Sequence, residues 1–284
     1  MKTYQQIVHD LCLIYPEGEA RALARWLCEE CLGLGQTDIL LDKDNHLSAH
    51  DLENVKEITS RLLRHEPIQY ILGQTTFCGH TFSVAPGALI PRPETEELVA
   101  LILDSIDKDS ELSLLDIGTG TACIALSLAL SLPKAGVTAW DVSAEALAVA
   151  QKNLDRYSDA NVKLEQCDIF SPPEDDRLWQ VIVSNPPYVR QSEARAMQRN
   201  VLDYEPHQAL FVPDDNPLLF YRAILWYAMR HLAPNGSIWF EINQALGEEL
   251  RHLIEYFGFS DIEILKDSYE HDRFVRCRRF VSFC

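Results

Sequence analysis

Positive charge is scarce in this 284-residue chain: 25 Lys and Arg stand against 43 Asp and Glu, for a formal net charge of −18. Divided after Ile90, both parts are acidic, at −5 and −13. Neither offers the net-positive footprint that a phosphate backbone attracts, which argues against tight binding to duplex nucleic acid. Long apolar runs are missing too. No stretch approaches the roughly 18 apolar residues of a membrane span. The opening MKTYQQIVHDLCLIYPEG lacks the apolar core and small-residue cleavage site of a secretory leader. No internal repeat or low-complexity tract is visible. With 47% hydrophobic and 24% charged residues, the composition excludes the disordered and fibrous classes. Eight cysteines lie scattered in apolar contexts. Cys28 and Cys31 form a CxxC, but inside a helical pattern and without a second metal pair. The expectation is a cytoplasmic protein with reduced, structural thiols and no metal.

What is present divides into two patterns. Residues 1–70 contain no convincing strand. Tyr4, Ile7, Val8, Leu11, Leu13 and Ile14 mark one helical stripe, and Ala20, Leu23, Ala24, Leu27 and Cys31 mark another. Ser48 is placed to cap a third helix carrying Leu52, Val55, Ile58, Thr59, Leu62 and Leu63. Helices this short persist only when packed together, so a small helical bundle is expected. In TTFCGHTFSV (75–84) two β-prone runs flank Cys78-Gly79-His80, which predicts a hairpin in a linker over 71–88. Beyond it, Pro91 and Pro93 hold the chain extended, and Thr95 is expected to cap a helix through Leu98, Val99 and Leu101.

From Leu112 strands and helices alternate: LSLLDIG, a helix over 123–132, VTAWD, a helix over 143–157, NVKLEQCDI, WQVIVSN, a helix over 217–232, SIWFEIN, a helix over 246–257, then IEILKD and RFVRCRRF. Alternation of this kind implies an α/β domain over 89–284 with a mainly parallel, seven-stranded sheet covered on both faces. Its last two strands are close enough in sequence to pair antiparallel.

Two places in that domain carry chemistry. Gly118 and Gly120 lie where the first strand hands over to its helix, in DIGTGTA (116–122), and let the backbone turn sharply towards a ligand. Asp141 ends the next strand, where a carboxylate accepts bonds from both hydroxyls of a ribose. An Asp directly before a loop that keeps only two of three glycines, with Ala122 in the third place, differs from the dinucleotide fingerprint. Asp168 and Ile169 follow the third strand and suit an adenine amino group and ring face. The second place is Asn185-Pro186-Pro187-Tyr188, directly after an apolar strand. Consecutive prolines hold the chain extended and aim the Pro186 carbonyl in a fixed direction, while Asn185 supplies a second acceptor. Two convergent acceptors grip an NH2 group and leave its lone pair free for a methyl donor. Tyr188 covers the flat face. The candidate catalytic residues are therefore Asn185, Pro186 and Tyr188, and the substrate clamp is Asn185, Pro186, Pro187 and Tyr188.

The sequence resembles the HemK/PrmC family, the release factor glutamine N5-methyltransferases. The resemblance rests on LIPRPETEELV (89–99), LLDIGTGTACIALSLA (114–129), Asp141, the Asp168 segment, VSNPPYV (183–189), Tyr204-Glu205-Pro206 with Ala209-Leu210, and Phe240-Glu241-Ile242. It implies a Rossmann-like class I methyltransferase domain after a helical domain that docks the substrate. It also implies S-adenosylmethionine as cofactor, held by Gly118, Thr119, Gly120, Thr121, Ala122, Asp141, Ile169 and Asn185. The implied substrate is the glutamine of the Gly-Gly-Gln loop of class 1 peptide release factors. The protein is expected to be a monomer acting on neither membrane nor nucleic acid. Where the family has a glycine-rich stretch this chain has Phe211-Val212-Pro213-Asp214-Asp215-Asn216, and residues 190–216 are long enough to cover a substrate. The competing reading is a methyltransferase of exocyclic amines in DNA or RNA, since such an amine needs the same two acceptors and an aromatic wall. A non-enzymatic S-adenosylmethionine sensor is a second, which the intact tetrapeptide argues against. Arg92 and Glu94 are open to two roles, touching substrate or bracing the domain junction.

Overall fold

The computed structural model describes residues 3–41 and 47–279. Met1, Lys2, Phe280 (the last residue of the expected final strand) and Cys284 lie outside the described residues. The chain divides into two compact units: residues up to Gly73 with Gln198–Tyr204, and Gln74–Met197 with the chain from Glu205 onward.

The first unit is helical. Helices α1 (Thr3–Leu11), α2 (Glu17–Leu32) and α4 (Ala49–Leu62) carry the three expected stripes, and two short helices that the sequence reading does not name, α3 (Gln36–Leu40) and α5 (Ile68–Leu72), lie after α2 and α4. Ile7 and Leu11, then Ala20, Ala24, Leu27 and Cys28, then Val55, Ile58 and Leu62, meet Ile68 in one core. Burial of such side chains contributes roughly 1.5–3 kcal/mol each for the larger aliphatics, which holds helices too short to stand alone. Ser48 caps α4 in a reciprocal capping box with Asp51. Leu13 and Ile14, expected in the first stripe, lie beyond the end of α1 and are exposed.

The second unit opens with the hairpin β1 (Gln74–Phe77) and β2 (His80–Ser83). Its two turn residues, Cys78 and Gly79, both have positive φ (47° and 75°), the twist that a two-residue hairpin needs. Helix α6 (Pro93–Asp104) begins two residues before Thr95. Arg92 is its N-cap and Pro93 its first residue, so Thr95 is not the cap that the sequence predicts. The remaining strands are β3 (Ser113–Ile117), β4 (Gly136–Asp141), β5 (Val162–Gln166), β6 (Trp179–Ser184), β7 (Val189–Arg190), β8 (Phe211–Val212), β9 (Leu232–Glu241), β10 (Phe259–Lys266) and β11 (Asp272–Arg279). The helices among them are α7 (Cys123–Ser131), α8 (Ala144–Arg156), α9 (Arg199–Leu202, in the first unit), α10 (His207–Leu210), α11 (Leu219–His231) and α12 (Gly247–Tyr256).

Seven strands form one sheet in the order β10-β11-β9-β6-β3-β4-β5. Only β11 runs against its neighbours. Alternate residues of each central strand face opposite layers. Leu114, Val181, Val183 and Trp239 pack with α6, α7 and the hairpin. Leu115, Ile182, Ile238 and Phe240 pack with α11 and α12. Both faces are apolar because both are covered. The chain lays β4 and β5 on one side of β3 and β6 and β9 on the other, so strand order reverses between β3 and β6. A crevice opens at the carboxyl ends of strands at such a switch point. Residues 190–216 are not one long loop: β7 pairs in parallel with β8, and short helical turns lie between them.

Candidate active site

The glycine turn leaves β3 under tight backbone control. The amides of Gly118 and Thr119 both donate to the Trp140 carbonyl at 2.8 Å. Gly118 and Gly120 take φ values of 75° and 57°, which an L side chain adopts at a cost. Ala122 also has positive φ (63°), and its methyl group is fully buried in the core. The third position of the loop thus keeps the glycine conformation without the glycine.

Asp141, at the end of β4, holds that turn. One carboxylate oxygen accepts the Gly120 amide at 2.8 Å and the other accepts the Ser143 amide at 2.9 Å. Burial pushes its pKa up, against the lowering effect of these amides. Asp116 is enclosed behind the turn: one oxygen accepts from the Thr119 hydroxyl at 2.6 Å and the other has no partner among the described residues. Burial raises its pKa from 3.8 to about 7.

A cavity of about 300 Å³ occupies the switch point. Gly118, Gly120 and Asp141 form one wall, Asp168, Ile169 and Phe170 a second, and Ser184 to Pro187 a third. Phe220 and Ile224 of α11 close the apolar end, where the Phe170 and Phe220 rings lie 5.2 Å apart. Carboxylate, open glycine backbone and apolar walls suit the ribose, amino-acid tail and adenine of a nucleoside-type cofactor. A Cβ at Gly118 or Gly120 would meet nothing within 4 Å, so these glycines leave the ligand room and are required by their φ angles. Asp168 accepts the Phe170 amide with one oxygen at 2.9 Å, which leaves the other available. Thr119, Thr121 and Ala122 do not line the cavity; all three are buried behind the turn.

The tetrapeptide adjoins this cavity. Asn185, Pro186 and Pro187 line it, and a smaller cavity beside it is lined by Asn185, Pro186, Tyr188, Leu89, Arg92 and Leu210 among others. The Asn185 amide donates through Nδ2 to the Thr95 hydroxyl at 3.2 Å. Thr95 in turn donates to Oε2 of the fully buried Glu241 at 2.7 Å, and the Tyr188 hydroxyl donates to Oε1 of the same carboxylate at 3.0 Å. Burial, with Glu241 beside it, drives the Tyr188 phenol far above its usual range. Tyr188 is therefore a neutral wall and hydrogen-bond donor. The Tyr188 carbonyl accepts from Asn243, which also donates to Glu193. Arg92 is paired with buried Glu205 at 2.5 Å, and Glu205 also accepts the Ile90 amide. The roles of Thr95, Glu241 and Phe220 are not read from the sequence. Glu241 carries one usable signal: like Asp116 and Asp141, it is an acid at the end of an apolar strand.

Residues 95–205 match the family model described as the methyltransferase small domain, and residues 5–73 match the PrmC N-terminal domain. The release factor glutamine methyltransferase of Bacteroides thetaiotaomicron is 47% identical over 94% of this chain and 95% of its own length. That of Flavobacterium psychrophilum is 42% identical over 97% and 98%. In fold, the chain is similar to the crystal structure of a methyltransferase from Pyrococcus furiosus, with a TM-score of 0.53, 19% identity, and coverage of 80% of this chain and 100% of that one. Identity at this level across nearly the full length of both relatives places the chain in the release factor glutamine methyltransferase family.

Proposed function

We propose that this protein transfers a methyl group from S-adenosyl-L-methionine to the side-chain nitrogen, N5, of the glutamine in the Gly-Gly-Gln motif of class 1 peptide release factors. The observation that carries this reading is the pinned Asn185 amide, set beside Pro186 on the wall of the switch-point cavity. Gly118, Gly120, Asp141 and Ile169 would hold the cofactor directly, while Thr119, Thr121 and Ala122 shape the turn from behind. When bound, S-adenosyl-L-methionine supplies an electrophilic methyl group and leaves as neutral S-adenosyl-L-homocysteine.

The amide nitrogen is a weak nucleophile because its lone pair is delocalised into the carbonyl. Asn185 Oδ1 and the Pro186 carbonyl accept its two N–H groups and orient the lone pair. Positive charge grows on the nitrogen as the new N–C bond forms, and both acceptors face that charge. Groups preorganised towards developing charge contribute on the order of 3–4 kcal/mol each to transition-state stabilisation. The proton becomes acidic only as the bond forms and is lost to solvent after it, which leaves a neutral N-methyl amide, so no strong base is required beforehand. Tyr188 covers the amide plane, and its neutral hydroxyl stays on Glu241. The helical unit docks the release factor. The reaction takes place in the cytoplasm, with the enzyme as a monomer; no helix among the described residues is long and apolar enough to cross a membrane.

Transfer of labelled methyl to a purified release factor, to its Gln→Glu variant in the Gly-Gly-Gln motif, and to duplex DNA and RNA tests the reading. Label is expected on the unmodified factor alone. Label on nucleic acid with none on the factor overturns it.

A further inference from the structure

The hydrogen-bond polarity around Asn185 is determined two hydrogen bonds away, at Glu241. A side-chain amide is nearly symmetric in shape, and its oxygen and NH2 ends exchange by a half-turn. Only the oxygen end accepts from a substrate NH2 group; the reversed amide would present donors to donors. The chain has to choose one orientation, and its immediate neighbours in sequence, Ser184 and two prolines, supply no side chain that makes the choice.

Thr95 and Glu241 make it. A threonine hydroxyl has one proton to donate and lone pairs to accept with. Glu241 is fully buried and, as a carboxylate, only accepts, so the Thr95 proton is committed to it at 2.7 Å. The Thr95 oxygen that remains is an acceptor only. It therefore meets the NH2 end of Asn185, as observed at 3.2 Å, and turns Oδ1 to the substrate. The second oxygen of Glu241 is occupied by the Tyr188 hydroxyl at 3.0 Å, which gives the carboxylate two donors and one orientation. Glu241 is itself held at the end of β9, where its carbonyl accepts from the buried Tyr221 hydroxyl at 2.9 Å and its backbone pairs with Phe274 of β11.

We infer that Thr95 and Glu241 are positioning residues that impose the acceptor polarity of Asn185 and so make the site selective for an amide over a carboxylate. The inference rests on the reading that Asn185 holds the substrate glutamine. Without the Thr95 hydroxyl the Asn185 amide is free to reverse. The clamp then presents NH2, which suits a glutamate side chain and repels the glutamine NH2. A buried polar group facing the wrong partner forfeits discrimination worth orders of magnitude in comparable sites.

The test uses the full-length enzyme with two purified release factors, one carrying Gly-Gly-Gln and one Gly-Gly-Glu, the second as a competitive inhibitor. Thr95→Val removes the hydroxyl at nearly constant volume, Thr95→Ser keeps it, and Glu241→Gln removes the fixed carboxylate. Thr95→Val is expected to lower kcat roughly 10- to 100-fold, with the Kd of S-adenosyl-L-homocysteine within about 3-fold of the parent. The ratio of inhibition by the Glu factor to binding of the Gln factor should shift at least about 5-fold towards Glu. Thr95→Ser should restore both. A merely structural role for Thr95 would lower kcat without moving that ratio, and an unmoved ratio overturns the inference. Glu241→Gln is read by the same ratio and decides the matter should Thr95→Val fail to fold. Asn185→Ala is assayed in parallel: retained turnover there overturns the underlying site reading, whereas lost turnover with an unchanged ratio in Thr95→Val overturns only the polarity inference.

Discussion

Asp141 accepts the Gly120 amide at 2.8 Å, so the residue that closes β4 also holds the turn that follows β3. Its second oxygen takes the Ser143 amide, which fixes the carboxylate at the mouth of α8. Asp141→Ala removes both acceptors and the proposed ribose contact at once. Hydrogen bonds to a charged group are worth about 1.5–3 kcal/mol each, so the affinity for S-adenosyl-L-homocysteine should fall at least about 10-fold, with a lower melting temperature. Asp141→Asn keeps the shape and should fall between. Calorimetric titration of both variants checks this; an unchanged Kd in Asp141→Ala would remove the residue from the cofactor site.

Ala122 tests the opposite kind of constraint. A left-handed backbone costs an L residue about 1–2 kcal/mol, which Ala122→Gly would relieve. The variant loses a buried methyl worth about 0.8 kcal/mol and frees the unfolded chain by about 0.4–1 kcal/mol. These terms nearly cancel, so stability should change by less than about 1 kcal/mol in denaturant titrations. Cofactor affinity should not move, because the methyl group faces the core. Ala122→Val adds a β-branched side chain to the same backbone in a packed site and should lose about 2 kcal/mol or more. A large gain from Ala122→Gly would mean that the turn is more strained than its geometry implies.

The enclosed carboxyl of Asp116 makes stability depend on pH. Burial raises its pKa from 3.8 to about 7, so between these values the unfolded chain ionises it while the folded chain does not. Its contribution to stability therefore declines as pH rises through that window and levels off above it. Asp116→Asn stays neutral throughout, and its oxygen can still accept from Thr119. Measured against the parent in urea, the variant should gain in relative stability from about pH 4 to about pH 7. A difference that stays flat across that range would refute the assignment.

Arg92 is tied to Glu205, whose side chain is 1% exposed while that of Arg92 is 30% exposed. This pairing gives Arg92 a bracing role in the second unit, where it holds the segment before α6. Arg92→Met strands a buried carboxylate and should cost about 3 kcal/mol, the lower end for a broken buried pair because the arginine is partly solvated. Glu205→Gln should cost less, and the double variant should recover part of the loss. Thermal denaturation of the four proteins measures the coupling; strictly additive losses would show that the pair contributes nothing of its own.

Much of the fold is legible in the sequence because its information is local. Alternating apolar strands and amphipathic stripes report which elements form, since each records the period of its own backbone. Ser48 announces its helix because a cap is a contact across three residues. The glycine turn, the acid at 141 and the Asn-Pro-Pro-Tyr segment stand at strand ends, where backbone chemistry alone limits which residues fit. The expected capping role of Thr95 failed because Pro93, preset for the first helical position, starts the helix ahead of it without a side-chain cap, and the Thr95 hydroxyl bonds the distant Glu241 instead.

The sequence by itself thus determined the order of elements, the glycine turn and the Asn-Pro-Pro-Tyr segment as separate pieces. Only the tertiary structure decided how they are wired. Thr95 reaches Asn185 across 90 residues and Glu241 across 146, and Arg92 reaches Glu205 across 113. Such contacts follow from sheet order, which brings the carboxyl ends of β3, β4, β6 and β9 to one edge of the unit. Hydrophobic period says that a strand is buried; it does not say beside which other strand. The acceptor polarity of Asn185 is a property of that neighbourhood, and it exists only once the sheet has formed.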